Sequence, residues 1–211
     1  ALDIQYCGRD LIVRDCILSS SYASEGAAGL YINFSDVQII HNNISTADSA
    51  NNSRFTGVEI RQGEPVLINN MIMPGNVSSS SGSPHSYGVM NAGNPILVGN
   101  LIIAGNVTGD TSQSFSCGIL NDTDSSPILV NNTIIGGDAD SDGGMSSSYG
   151  MYNNSIPGLV TNNIFLSMDT DSGDTRYGVF GTGLSDDNYY YNCIYVDGVT
   201  DYSGIDRKSV V

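Results

Sequence analysis

One pattern returns along the whole chain and leaves it few folds. Pro127–Gly137 reads P-I-L-V-N-N-T-I-I-G-G. Its centre is an apolar triplet, an Asn, one residue and an Ile. Versions of it stand at Leu11–Leu18, Val37–Ser45, Val66–Met73, Ile96–Ile103, Leu159–Phe165 and Tyr189–Tyr195. Aligned on the polar residue, the column is Asp15, Asn42, Asn70, Asn100, Asn132, Asn162 and Asn192. Two residues on stand Ile17, Ile44, Ile72, Ile102, Ile134, Ile164 and Ile194. A Gly precedes each Asn, at Gly29, Gly57, Gly88, Gly118, Gly150 and Gly178. Fixed columns at a period of roughly 30 residues mean stacked units, because one such unit cannot bury its apolar side alone.

Each unit holds three short apolar runs, as in Gly150-Met151-Tyr152, Ile128-Leu129-Val130 and Thr133-Ile134-Ile135. They are too short for helices and rich in Ile and Val, so they read as strands. Three strands per unit, stacked ~4.8 Å apart, make a parallel β-helix. The spacing predicts an all-β solenoid of about six to seven turns. A strand that bends sharply into the next needs a residue tolerant of left-handed backbone, and Asn is the best choice after Gly. Stacked amides also bond to one another. Asn42, Asn70, Asn100, Asn132, Asn162 and Asn192 are therefore expected to form a ladder at one corner, with the Ile column filling the interior.

The motifs G-[ILVM]-x-x and P-x-[LI]-[VI]-x-N-x-I resemble those of right-handed parallel β-helix proteins of the pectate-lyase-like superfamily, specifically their repeat-containing secreted members. The resemblance covers nearly the whole chain and implies a right-handed coil. It specifies fold far better than function. Such enzymes place carboxylates, Ca²⁺ and a basic residue on an exposed strand face. Here the column two residues after the Gly is Tyr31, Glu59, Met90, Leu120, Tyr152 and Phe180, with one acid and no base. Glu59 with Arg54 and Arg61 is the charged cluster nearest to it. Tyr31, Glu59, Tyr152 and Phe180 are the candidate ligand contacts, since Tyr and Phe rings stack on sugar faces. Strand alternation puts the glycines on the same face, so a shallow trough is expected beside this ridge.

Calcium is the candidate cofactor. Asp138-Ala139-Asp140-Ser141-Asp142-Gly143 has the D-x-D-x-D-G form that opens an EF-hand loop, whose alternating carboxylates converge on one hard cation. Asp138, Asp140 and Asp142 are the candidate ligands. The twelfth position, a bidentate Glu in that motif, is Tyr149 here, and Asp169, Asp171 and Asp174 crowd the equivalent loop one turn on. No catalytic residue is assigned. Asp186 and Asp187 are adjacent and diverge, Asp122 and Asp124 lie in a loop, and no G-x-S-x-G or Ser–His pairing is visible. His41 and His85 are isolated and read as surface residues.

The 22 Asp and Glu outnumber the 7 Lys and Arg, giving a net charge of -15. That argues against nucleic acid and anionic membranes as partners. No apolar run approaches the ~20 residues of a membrane-spanning helix. Residues 1–205 read as one domain, expected to continue beyond one or both ends because the first turn lacks its Gly. The last six, D-R-K-S-V-V, resemble the translation of a sequencing adapter and are set aside. Of the four cysteines, Cys117 reads as a buried free thiol in an interior column with Tyr87, Tyr149 and Tyr177. Cys16 and Cys193 read as equivalents in the first and last turns, too far apart to bond.

Three roles follow as expectations. The first is a secreted or cell-surface scaffold binding carbohydrate or another extended ligand along a strand face. The second is a polysaccharide lyase or glycoside hydrolase, which a carboxylate-lined groove would favour. The third is a structural or adhesive rod that self-associates, which a flat apolar face would favour.

Overall fold

The computed structural model describes residues 1–20, 27–50, 54–80, 82–110, 113–168, 175–185, 187–196 and 202–203. Among them every regular element is a strand, and every strand pairing is parallel. The chain winds as a parallel β-helix of about six turns. The first sheet has eight strands, among them Ala27–Asn33, Arg54–Ile60, His85–Asn91, Ser114–Asn121, Ser146–Asn153 and Thr175–Gly181. The second runs from Ile12–Arg14 through Gln38–Ile40, Val66–Ile68, Ile96–Val98, Ile128–Val130 and Leu159–Thr161 to Tyr189–Tyr190. The third runs from Ile17–Ser20 through Asn43–Thr46, Met71–Met73, Leu101–Ile103, Thr133–Ile135 and Ile164–Ser167 to Cys193–Val196. In the three-residue strands of the second and third sheets the middle residue points inward, so Leu67, Leu97, Leu129, Ile72, Ile102 and Ile134 stack in one fully enclosed core. Burying each such side chain contributes about 1.5–3 kcal/mol.

The corner between the second and third sheets carries the Asn ladder, with one member changed. Each amide Oδ1 accepts the backbone N–H of the turn below, at 2.9 Å for Asn42 to Asn70, Asn70 to Asn100 and Asn100 to Asn132. The series continues through Asn163, not Asn162, to Asn192. In the first turn the rung is Cys16, whose N–H bonds Asn42, not Asp15. Each Nδ2 also reaches a carbonyl of the turn below, such as Leu97 O at 2.9 Å from Asn132. The left-handed residue is the one before the ladder: Asp15, His41, Asn69, Gly99, Asn131, Asn162 and Tyr191 all have φ between 52° and 65°. One residue makes the bend, and the next turns its amide inward. The interior column shifts accordingly to Leu18, Ile44, Ile72, Ile102, Ile134, Phe165 and Ile194, leaving Ile17 and Ile164 outside. Cys16 is likewise level with Asn192 rather than Cys193, and all four cysteines are free.

A fourth strand appears where a loop was expected. Ser49–Ala50, Val77–Ser79, Val107–Gly109 and Ala139–Ser141 form a small side sheet. It packs on the first half of the long strands. There Ser86 accepts the Gly105 N–H, and Ser116 accepts that of Gly137 while donating to Gly105 O. Residues 206–211 and Asp169, Asp171, Asp174 and Asp186 lie outside the described residues.

Candidate functional site

The repeat glycines shape the outer face of the first sheet, though not by lying on it. A Cβ on Gly118 would stand 2.6 Å from Ile134 Cγ2 and 2.6 Å from Gly150 O, inside the rod. Gly57 and Gly88 meet Ile72 and Ile102 in the same way. The next residue, Val58, Val89 or Ile119, also faces the core. Two successive inward residues mean that the strand bends there, so simple alternation fails and the glycines do not share the ridge's face. The bend draws together two outward columns. One is the residue before the Gly, in register through Tyr87, Cys117, Tyr149 and Tyr177. The other is the expected ridge of Tyr31, Glu59, Met90, Leu120, Tyr152 and Phe180, also in register.

The two columns meet as an aromatic cluster outside the main core. Across the bend the ring centroids of Tyr149 and Tyr152 lie 5.2 Å apart, and those of Tyr177 and Phe180 5.1 Å. Along the rod, Tyr149 stacks on Tyr177 at an interplanar angle of 15°, and Tyr152 on Phe180 at 30°. Neighbouring rings therefore cover much of each other's faces, and the trough presents mainly edges and hydroxyls. Cys117 is fully buried in this outer cluster rather than in the rod interior, where its thiol donates to Ile119 O at 3.0 Å. Burial pushes its pKa up, and pushes the Tyr149 phenol up to about 12. Brief iodoacetamide treatment of the native protein is expected to modify the exposed Cys16 and Cys193 and to spare Cys117 until denaturant is added. Peptide mass spectrometry reads this directly, and native labelling of Cys117 at the rate of Cys16 would contradict its burial.

His85 is not an isolated surface residue. Its ring lies 5.7 Å from Phe115 and its Nδ1 is 3.0 Å from the Tyr87 hydroxyl. Burial, then the nearby Arg54, lowers its pKa. His41 is exposed, within 3.8 Å of Asp15 and 3.2 Å of Asn69. At the third turn, Glu59 is buried with Oε2 3.4 Å from Arg54 and Oε1 against Arg61. Both guanidiniums are partly exposed while the carboxylate is not, so the two arginines compensate a buried charge. The pairs also fix two cations beside the ridge and occupy both carboxylate oxygens.

Asp138, Asp140 and Asp142 follow the side sheet. Asp138 donates its backbone N–H to Asn106, continuing an outer series of Asp48, Asn76 and Asn106. Asp140 sits mid-strand, level with Thr108. Among the described residues no three His, Cys, Asp or Glu side chains gather as a metal site, and there is no helix long and apolar enough to cross a membrane.

Two features went unread in the sequence. Asn91, Asn121 and Asn153 form a second buried amide series, linked at 3.1 and 3.0 Å. Its signal is an Asn three residues after Gly88, Gly118 and Gly150. The second wall of the trough is signalled by Tyr87, Tyr149 and Tyr177, each directly before a repeat Gly. Of the resemblance drawn from the repeat motifs, the structure bears out the parallel β-solenoid of about six turns. No family model, curated protein sequence or solved structure matches this chain.

Proposed function

We propose that this chain is a scaffold that holds an extended ligand, a polysaccharide or cell-surface glycan, along the trough of its first sheet. The supporting observation is the convergence of two in-register columns at the glycine bend. It gives a continuous apolar floor edged by tyrosines and, at one end, by Arg54 and Arg61. A polymer with apolar and hydroxyl-bearing faces suits such a lining, and its contacts would be ring edges and phenol hydroxyls rather than flat stacking. Tyr31, Glu59, Tyr152 and Phe180 stay the named contacts, with Glu59 acting through the two arginines. The acidic, Ser- and Asn-rich loops fit an extracellular or cell-surface setting. Calcium enters only beside the side sheet, where residues 169–174 would have to complete the donor set. A lyase or hydrolase is less well supported, because the buried carboxylate of the ridge is held by two arginines.

Glycan-array binding tests this reading. Wild type is expected to bind at least one glycan class, and Tyr152→Ala or Phe180→Ala to weaken it roughly tenfold or more, as for truncated interface anchors. Absence of binding by wild type, or undiminished binding by both variants, would sink it. Release of unsaturated sugar ends would move the role to lyase.

A further inference from the structure

The second sheet offers a separate surface with a different chemistry. Its outer positions form two columns, including Val66, Ile96 and Ile128 in one and Ile68, Val98 and Val130 in the other. From Gln38–Ile40 to Leu159–Thr161 no outer position is charged, although the chain carries a net charge of -15. These strands pair residue for residue, so the face is a regular ladder of mainly aliphatic ridges, with Val66, Ile96 and Ile128 along a shallow groove edged by Arg9, Asp36 and Glu64. We propose that this face packs against the same face of a second copy, with the two rods antiparallel.

Three observations select that partner. The ridges repeat at the ~4.8 Å strand spacing, and sheets pack face to face at ~10 Å. A second copy has the same spacing and keeps its side chains interleaved over the full length. Charge sets the direction. Residues 1–65 hold eight acids and four Arg, whereas residues 66–205 hold thirteen acids and one Arg. Both halves are net acidic, and Arg9 is paired with Glu64, so an antiparallel pair lowers repulsion by laying each strongly acidic half along the partner's less acidic half. A two-fold contact of one patch with itself satisfies this arrangement. Footprint sets the strength. Nine accessible outward side chains per copy fall short of the roughly 20–30 of a standard interface, so the dimer is weak. The trough lies on another sheet, so this inference stands or falls independently of the ligand.

Sedimentation velocity of the whole chain, in a series reaching about 1 mM, tests it in the range of weak affinity. Wild type is expected to sediment faster as concentration rises. Val98→Asp and Val98→Lys, each folded by circular dichroism, are expected to stay monomeric alone and to associate when mixed, because the central rung meets its own copy across the two-fold axis. Ile96→Gln, a milder change, is expected to weaken association in step and serves should either charged variant fail to fold. Wild type monomeric throughout, or single variants associating as wild type does, would overturn the proposal. Failure of the mixture to associate would overturn the two-fold pairing.

Discussion

Replacing Asn132 by Leu is expected to lower stability by about 3–5 kcal/mol, the sum of two or three buried groups left unpaired. Asn132 is 1% exposed. Its Oδ1 accepts the Asn100 backbone N–H at 2.9 Å and the Asn100 amide at 3.0 Å, and its Nδ2 donates to Leu97 O at 2.9 Å. Leu has the same branch point and number of side-chain heavy atoms but none of these partners. The Asn100 N–H and the Leu97 carbonyl would face apolar surroundings closed to water. The preceding residue gives the control. Asn131 holds φ at 55°, so Asn131→Gly should leave stability unchanged or improve it, whereas Asn132→Gly should not. Urea unfolding reads both as shifts in midpoint at constant slope. Equal effects at the two positions would mean that bend and ladder are not on separate residues.

Gly118→Ala is the second large effect. One added carbon would meet Gly150 O at 2.6 Å, Ile134 Cγ2 at 2.6 Å and Ile135 O at 3.1 Å. Two of these are backbone atoms of strands paired on both sides, so the strain does not relax by a rotamer change. Overpacking costs typically 1–3 kcal/mol and sometimes more, and the rigid neighbours place this site at about 3 kcal/mol or above. Because the bend also forms the trough, Gly118→Ala should loosen the aromatic cluster. Near-ultraviolet tyrosine dichroism would then fall along with the melting temperature. Gly8, whose added Cβ would meet nothing within 4 Å, is the matched control and should tolerate Ala. If both substitutions cost the same, the inner-face placement of the repeat glycines is wrong.

The period, the strand content and the stacked columns were legible because each repeats with little variation. The finer register was not, and the reason lies in particular residues. Asn162-Asn163, like Asn69-Asn70 and Asn131-Asn132, is a doublet in which one Asn bends the chain and the other builds the ladder. A one-residue slip in a strand moves every side chain to the opposite face. Ile164 and Phe165 were exchanged in that way. The side sheet escaped notice because Val77-Ser78-Ser79 and Ala139-Asp140-Ser141 are short runs of small residues that look like loop. Alternation holds from Val58, Val89 and Ile119 onward, so the ridge of Tyr31, Met90, Leu120, Tyr152 and Phe180 faces outward although the Gly two residues before it faces inward. Alternation carried across the bend places the opposite wall, Tyr87 and Tyr149, in the interior, whereas the bend turns it outward. Nothing local in the sequence announces that bend. It is set by Ile134 and its equivalents pressing on the glycines from across the rod.

Affinity electrophoresis through gels containing soluble polysaccharides tests the trough most directly, because it compares the exposed faces in one experiment. Wild type is expected to be retarded by at least one polymer. The double variant Tyr152→Ala with Phe180→Ala should run as freely as in an empty gel, and Val98→Asp, altered only on the second sheet, should be retarded like wild type. Retardation that survives the double change, or that disappears with Val98→Asp alone, would contradict the assignment of the ligand to the trough.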